Sequence, residues 1–349
     1  MRTEVKFSSK RFLMTLTLCA CSVILLQNGS LPQRSSFLCR LAAMAAGLLG
    51  CFLIFLPSIW LRKRGGDVFS QSLPRAARYA AAAVYTACFF YTAEYFLFPY
   101  TDMFCKKYYP DTSPCVIALI LLICCVYAAL RGANVITRFS VFLFALAMLT
   151  NLLMFGGSLS SLRFYSSDLG IRGGFSGFSQ SFLYFLTPSF TAVLFACLSG
   201  YTRNFRLRQP VIALALTGVK YALVLFFIAF AVGEYALRQE YQTFVLSRVA
   251  HFGAYAGIES FYMALSTMSV FMIVSLLLCA MCRSVDRNGS RGFTAAFTAA
   301  IFGAHMLAVY RPEVREFFTS PLLLVGLSVL TAAIIPSVML IFTRRGHNV

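Results

Sequence analysis

Charge is scarce in this sequence, and acidic charge is the scarcest. Among 349 residues only 12 are Asp or Glu, against 30 Lys or Arg; charged residues make up 12% of the chain and hydrophobic residues 59%. A soluble domain carries about twice that share of charge. The composition therefore excludes an ordinary soluble protein and predicts an all-α integral membrane protein that crosses the bilayer several times.

The sequence also lacks the motifs of common active sites. It contains no H-E-x-x-H pattern, no nucleotide-binding glycine loop, and no Ser, His and Asp set in a plausible context. No Cys and His spacing is typical of a metal site, and most of the 12 cysteines lie in apolar segments as small packing residues. We therefore expect no enzyme, no metal and no cofactor. Cys105 and Cys115 share one loop, where the sequence leaves a disulfide open.

Ten apolar segments are long enough to cross a bilayer, which takes about 20 residues each. The first is short and follows Lys10 and Arg11, so a signal peptide is the alternative interpretation. We expect a membrane helix, because no small-residue cleavage site precedes Gln27. The predicted spans are 12–27, 38–61, 79–98, 115–130, 135–156, 179–200, 211–233, 255–282, 293–310 and 321–343.

The basic excess follows the loops between these spans. With the N-terminus placed in the cytoplasm, most of the 30 Lys and Arg residues fall in cytoplasmic segments and most of the 12 acids fall outside. This is the positive-inside asymmetry of membrane proteins. It predicts cytoplasmic N- and C-termini, and it explains the net charge of +18 by the lipid bilayer rather than by a nucleic acid partner.

One span contains a polar interruption. Thr187, Pro188 and Ser189 stand about a third of the way into segment 179–200. Proline lacks a backbone donor and kinks or breaks a helix, and a freed carbonyl in hydrocarbon must face protein or a wet cavity. One interpretation is a kink in a packed helix, and the other is a ligand site at the break.

The ten spans divide into two halves of five. We expect one polytopic membrane domain with a first half 1–157, a second half 179–349 and an outer loop 158–178 between them. Because each half has an odd number of spans, the halves run in opposite directions. The count therefore predicts a 5+5 inverted repeat with interrupted helices 1 and 6, and a ligand site between those helices.

Two stretches resemble a known family. The turn from Ala128 to Arg138 reads A-A-L-R-G-A-N-V-I-T-R, and the eighth span opens with E-S-F-Y-M-A-L at 259–265. Both are similar to spore germination proteins of the GerAB type, in the amino acid–polyamine–organocation transporter superfamily with its LeuT/APC-like architecture. The family has glycines in its first helix where this sequence has Ala20 and Ser22, and a proline where it has Gln27.

The resemblance implies a function and partners. Such proteins are the B subunit of a germinant receptor in the spore inner membrane, beside a larger A subunit and a lipoprotein C subunit, and they sense small germinants such as amino acids. We therefore expect a membrane-embedded receptor subunit for an amino acid, in the spore inner membrane or the cell membrane. The alternative is a proton- or sodium-coupled amino acid permease on the same scaffold.

Polar residues near the predicted interruptions are the candidate ligand site. A small zwitterion would place its carboxylate on amides freed at a half-helix N-terminus. Glu94, with Tyr91 on the same helix face, is predicted to line the vestibule or relay protons; the alternative is an acid near the headgroups, satisfied by Lys106 or Lys107. The full ligand-binding set is Cys21, Ser22, Tyr91, Glu94, Thr187, Pro188, Ser189 and Thr191.

Glu94, Lys220 and Glu259 are the predicted intramembrane charges. An intramembrane charge needs a partner or water, so we expect Lys220 to form a structural ion pair with Glu94 or Glu259; a ligand contact is the alternative. Ser266 and Thr267, with Ser269 nearby, are a possible ion site, although such hydroxyls commonly satisfy carbonyls of their own helix. His251 and His305 are isolated in the sequence and receive no role.

Overall fold

The computed structural model describes most of the chain. Within the predicted outer loop, residues 164–173 lie outside the described residues, as do Gln27 and both chain ends. The described residues are 7–26, 35–64, 68–69, 75–163, 174–203, 208–237, 239–252, 255–285 and 291–345.

Ten helices in the described chain are long and apolar enough to cross a membrane, which confirms the predicted count. We number them as spans 1 to 10 in chain order. Their bounds are Ser9–Leu26, Phe37–Lys63, Ala76–Tyr108, Pro114–Arg131, Ala133–Ser161, Gly174–Tyr201, Gln209–Val232, Glu259–Val285, Arg291–Tyr310 and Pro321–Ile341.

Short elements connect the spans. Helices Glu234–Leu237 and Gln242–Val249 lie between spans 7 and 8, and helix Pro312–Thr319 lies between spans 9 and 10. Two pairs of two-residue strands complete the described structure: Phe7–Ser8 runs parallel to Thr202–Arg203, and His251–Phe252 runs antiparallel to Tyr255–Ala256.

The first strand pair fixes the relative direction of spans 1 and 6. Phe7 pairs with Thr202, so the residues just before span 1 lie beside those just after span 6. Span 1 therefore starts at the membrane face where span 6 ends, and the two helices run in opposite directions. This is the arrangement that five spans per half require; the inverted repeat itself stays a prediction.

The spans differ strongly in burial. In the apolar stretch of each span, the share of residues that are buried within the protein is 83% for spans 6 and 8 and 72% for spans 1 and 3. The same share is only 28% for spans 4 and 5. A helix that is apolar all round and buried all round belongs to the centre of a bundle. Spans 1, 3, 6 and 8 therefore form the core, and the other spans present more of their surface to lipid.

Span 1 is a continuous α-helix from Ser9 to Leu26, so the predicted interruption of helix 1 is wrong. Its hydroxyl residues bond to carbonyls of the preceding turn, as when the Ser22 hydroxyl donates to Leu18 O at 2.7 Å. Alanine and serine favour helical backbone far more than glycine does. Ala20 and Ser22 therefore keep the helix intact at the positions where the family has glycines.

Span 6 is interrupted at the predicted place. An α-helix ends at Leu186, a 3-10 turn covers Thr187–Ser189, and a second α-helix runs from Phe190 to Leu198. A mid-helix 3-10 stretch often marks a hinge or a functional site. We call the turn Thr187–Ser189 the interruption.

Two more spans are irregular, and the sequence analysis did not anticipate them. Span 7 ends in a π-helix at Ile228–Val232, and span 10 has a π-helix at Leu330–Ile334. Pro336 in span 10 supplied a signal: it lacks an N–H, which leaves the carbonyl four residues earlier, at Ala332, without its helical donor. Ser58 of span 2 fills the gap and donates to Ala332 O at 2.7 Å.

Candidate functional site

The interruption is built around one missing backbone donor. Pro188 cannot bond to the carbonyl of Tyr184, and the Thr187 hydroxyl donates to that oxygen instead, at 2.6 Å. The Thr191 hydroxyl donates in the same way to Pro188 O at 2.6 Å. The Thr187 hydroxyl therefore replaces the hydrogen bond that the helix loses at Pro188, and the Thr191 hydroxyl adds a second bond within the turn.

Span 2 closes the remaining gap. The Cys51 thiol lies 3.5 Å from Leu186 O and 3.8 Å from Phe185 O, the last carbonyls before the turn. Ser189 differs from its neighbours, because its buried hydroxyl oxygen has no hydrogen-bond partner among the described residues. The interruption thus holds satisfied carbonyls and one unsatisfied hydroxyl, and an unsatisfied buried polar atom is costly unless something binds it.

Span 1 brings Cys21 and Ser22 toward the same region. The Cys21 thiol donates to the Thr217 hydroxyl of span 7 at 3.8 Å, and both candidate side chains are at least 94% buried. The Tyr221 hydroxyl, one turn further along span 7, donates to Ala20 O at 2.6 Å. Span 7 therefore holds span 1 at the level of its predicted site residues.

Aromatic contacts bring spans 3 and 7 against span 6 on either side of the interruption. The ring of Phe185, just before it, lies 5.8 Å from the ring of Tyr221 in span 7. The ring of Phe190, just after it, lies 5.0 Å from Phe96 in span 3. Residues 187 to 191 and the middle of span 1 are thus enclosed by spans 3 and 7, and the enclosed ligand candidates are Cys21, Ser22, Thr187, Pro188, Ser189 and Thr191.

The π-helix of span 10 packs against the second half of span 6. Its freed carbonyls are also satisfied by side chains: the Tyr85 hydroxyl of span 3 donates to Thr331 O at 2.6 Å, beside the Ser58 bond described above. The irregular helix that packs against span 6 is therefore span 10, whereas span 1 is a regular helix.

Tyr91 and Glu94 do not reach the interruption. The Tyr91 hydroxyl lies 2.7 Å from Phe317 O and 2.8 Å from Ser320 O, at the connection between spans 9 and 10. Both side chains do share one face of span 3, as predicted, but that face looks toward spans 9 and 10. The predicted ligand set thus separates into two places.

Glu94 pairs with His305 of span 9, a residue to which the sequence analysis gave no role. The Glu94 Oε2 and His305 Nδ1 atoms are 3.2 Å apart, and both side chains are fully buried. The alternative partners Lys106 and Lys107 are excluded by distance: span 3 continues to Tyr108, so Lys106 lies about 18 Å further along the helix. Lys106 pairs instead with Asp102 and Glu240.

The hydrogen bonds around His305 fix the proton count of this pair. Thr101 donates its only hydroxyl proton to Phe98 O at 3.0 Å, so it accepts from His305 Nε2 at 3.3 Å and Nε2 carries a proton. The bond between Nδ1 and Oε2 needs a second proton, on either atom. Glu94 and His305 are therefore neutral as a pair and hold one shared proton.

Lys220 and Glu259 do not form the predicted ion pair. Glu259 is the first residue of span 8, its side chain is 38% exposed, and it pairs with Arg248 at 3.1 Å. It therefore lies at the end of the helix rather than inside the membrane span. Lys220 pairs with neither predicted acid, since Glu94 is taken by His305 and Glu259 by Arg248.

The hydroxyls of span 8 are mostly used within the protein. Ser266 donates to Tyr262 O at 2.9 Å, and Thr267 donates to Met263 O at 2.8 Å. Ser269 is buried and has no partner among the described residues. Bonds of this kind are the ordinary use of Ser and Thr in a membrane helix, so an ion site at Ser266 and Thr267 stays a prediction without added support.

Cysteine and metal chemistry add nothing to the site. Cys105 and Cys115 are not joined by a disulfide. In the parts of the chain that the structure describes, no three His, Cys, Asp or Glu side chains cluster as metal ligands do.

Comparison with known families decides the relationship that the sequence suggested. The family described as "Spore germination protein" matches residues 10–317, which include nine of the ten spans. The chain belongs to this spore germination family. Members are permease-type membrane proteins rather than enzymes of a known class, and the GerAB-type resemblance is confirmed. No curated protein matches the sequence.

The family assignment and the structure together show which residues sequence reasoning missed. His305, Ser58 and Tyr85 each bond to another span, and none belongs to a local motif. Their partners could not be inferred, because which residues of two distant helices meet depends on how each helix is rotated in the bundle. Pro336 was the one readable signal, since it marks the irregular segment of span 10.

Proposed function

We propose that this member of the spore germination family is the ligand-sensing subunit of a germinant receptor. A small molecule, with an amino acid as the favoured class, would bind at the interruption of span 6 against span 1. The observation that carries the proposal is the buried turn Thr187–Ser189, whose Ser189 hydroxyl has no partner in the described chain.

The site suits a zwitterion. The helix Phe190–Leu198 begins at the turn, so the positive end of its dipole is directed toward a carboxylate bound there. The surroundings are apolar and aromatic, with a few hydroxyls, as ligand sites commonly are. Binding would shift the bundle between two states by its different affinity for them, and partner subunits would detect the shift.

The partners and the location follow from the same proposal. The subunit would act beside an A-type subunit and a lipoprotein C-type subunit, in the spore inner membrane or the cell membrane, with both termini in the cytoplasm. Co-purification of A- and C-type subunits with the tagged protein from spore membranes tests this part directly. Recovery of the tagged protein alone, under detergent conditions that preserve other membrane complexes, would contradict it.

A proton-coupled amino acid permease is the second candidate. It is favoured by the Glu94–His305 pair, which holds one proton at full burial between spans 3 and 9. A sodium-coupled cycle has less support, because Ser266 and Thr267 already bond to carbonyls of their own helix. Uptake of a labelled amino acid into proteoliposomes, driven by a pH gradient and abolished by a protonophore, would favour the permease.

The receptor proposal is tested in spores that carry Pro188→Ala as the sole allele. Alanine restores the N–H that the helix lacks at the turn, so we expect a regular helix and loss of germination in response to the amino acid that triggers wild-type spores. Pro57→Ala is the matched control, because Pro57 is also an intrahelical proline but lies in span 2. Normal germination of Pro188→Ala spores, at equal protein level, would contradict the proposed site.

A further inference from the structure

Lys220 is a basic residue on the buried face of span 7. The residue is 9% exposed and shares that face with Thr217 and Tyr221, whereas Val219 on the opposite face is 61% exposed. Its side chain is therefore turned into the bundle, near the middle of span 7, rather than toward the headgroups.

Lys220 has no anionic partner in the described residues. Glu94 is occupied by His305, and Glu259 is occupied by Arg248 near the end of span 8. The other described acids with ion pairs, Asp102 and Glu240, are held by Lys106. A lysine inside a membrane protein without an acid is unusual, because such charges almost always face an interior partner or mark a binding path.

The ammonium group lies where the candidate ligand residues meet. Cys21 of span 1 contacts Thr217, three residues before Lys220 on the same face of span 7. The next residue, Tyr221, contacts Ala20 of span 1 and the ring of Phe185, two residues before the interruption. Lys220 thus stands at the junction of spans 1, 6 and 7.

We infer that Lys220 binds the carboxylate of the ligand. The inference rests on the proposed function and deepens it, since it restricts the ligand to small molecules that carry a free carboxylate and names the residue that selects them. A carboxylate would neutralise a buried charge that the described protein leaves unpaired, and charge-assisted hydrogen bonds of this kind are the strongest type. The Ser189 hydroxyl, which has no partner among the described residues, would then bond to a further polar atom of the ligand.

The test uses the purified full-length protein in nanodiscs and each of the twenty common amino acids, as the free acid and as its carboxamide. The readout is the concentration-dependent rise in melting temperature. For the acid that stabilises the wild type, we expect the carboxamide to bind at least about tenfold more weakly, because it lacks the charge. In Lys220→Met the acid and the carboxamide should bind equally, both as weakly as the carboxamide binds the wild type.

Three results would overturn the inference. If the acid keeps its tenfold advantage in Lys220→Met, another group binds the carboxylate, and the proposed function survives without this residue. If unliganded Lys220→Met melts below the wild type, the lysine has a structural partner. If no amino acid stabilises the wild type, the proposed ligand class fails together with this inference. Lys106→Met, a surface lysine paired with Asp102, is the control and should bind like the wild type.

Discussion

Two of the buried charged side chains of this protein, Glu94 and Lys220, have opposite surroundings. Glu94 is fully buried between spans 3 and 9, and it shares a proton with His305. Lys220 is nearly as buried between spans 7 and 1, and it has no acid beside it in the described chain. Glu94 has a protein partner at Oε2, whereas its Oε1 atom is buried without a partner among the described residues. Lys220 lacks such a partner, as we expect of a binding residue whose ligand is absent.

The largest expected effect comes from breaking the pair of Glu94 and His305. Glu94→Ala leaves His305 Nδ1 buried without a partner, so we expect the free energy of unfolding to fall by about 3 kcal/mol. A melting curve of the purified variant in nanodiscs measures the loss. Glu94→Gln is the matched control, since its amide can donate to Nδ1 of neutral His305 and should keep most of the stability. Equal losses in both variants would contradict the shared-proton description.

Removing the unpaired charge should act in the opposite direction. Lys220→Met replaces a buried, unpaired basic group by an apolar side chain of similar length, and the desolvation penalty of such a buried ion is on the order of several kcal/mol. We expect a higher melting temperature without ligand. The surface control Lys106→Met should change stability by less than about 1 kcal/mol, because its side chain is 49% exposed. A fall in the melting temperature of Lys220→Met would show that Lys220, like Glu94, has a stabilising partner within the protein.

The hydroxyls that satisfy freed carbonyls should matter less. Tyr85→Phe removes the donor to Thr331 O in the π-helix of span 10, and Ser58→Ala removes the donor to Ala332 O. Each leaves one buried acceptor unsatisfied, at a cost of about 1 to 3 kcal/mol. Melting curves of the single variants, and of the double variant, measure whether the two donors act independently. No loss in either would show that span 10 does not depend on them.

The smallest effect is expected within the interruption itself. Ser189→Ala removes a hydroxyl without a partner in the described residues, so its stability should stay within about 0.5 kcal/mol of the wild type. Thr187→Val removes the donor to Tyr184 O and should cost about 1 kcal/mol. The two variants differ by one hydrogen bond, and thermal unfolding separates them. A larger loss for Ser189→Ala would mean that its hydroxyl has a structural partner.

The sequence predicted the features that depend on local composition. Apolar segments of sufficient length gave ten spans, and Pro188 located the interruption, because both signals lie within one stretch of chain. The predictions from the sequence failed for features that depend on which neighbouring helices come into contact. The partner of Glu94 turned out to be His305, 211 residues away, and Glu259 lay at a helix end because span 8 starts later than the hydropathy suggested.

Span 1 shows a different reason for error. The interruption of helix 1 was predicted from the symmetry of two halves and from family resemblance, although Ala20 and Ser22 themselves favour a regular helix. The residues present determined the structure, and the helix is continuous. Irregularity appears in span 10 instead, where Pro336 frees a carbonyl and Ser58 satisfies it.

The central claim is that a small carboxylate-bearing molecule binds at the interruption of span 6. An experimental structure of the protein in nanodiscs, with the stabilising amino acid bound, tests it most directly. We predict ligand density between spans 1 and 6, with the carboxylate at Lys220 and a hydrogen bond to Ser189. Density bound elsewhere, or a regular helix through Thr187–Ser189 with Lys220 paired to a protein acid, would contradict the claim.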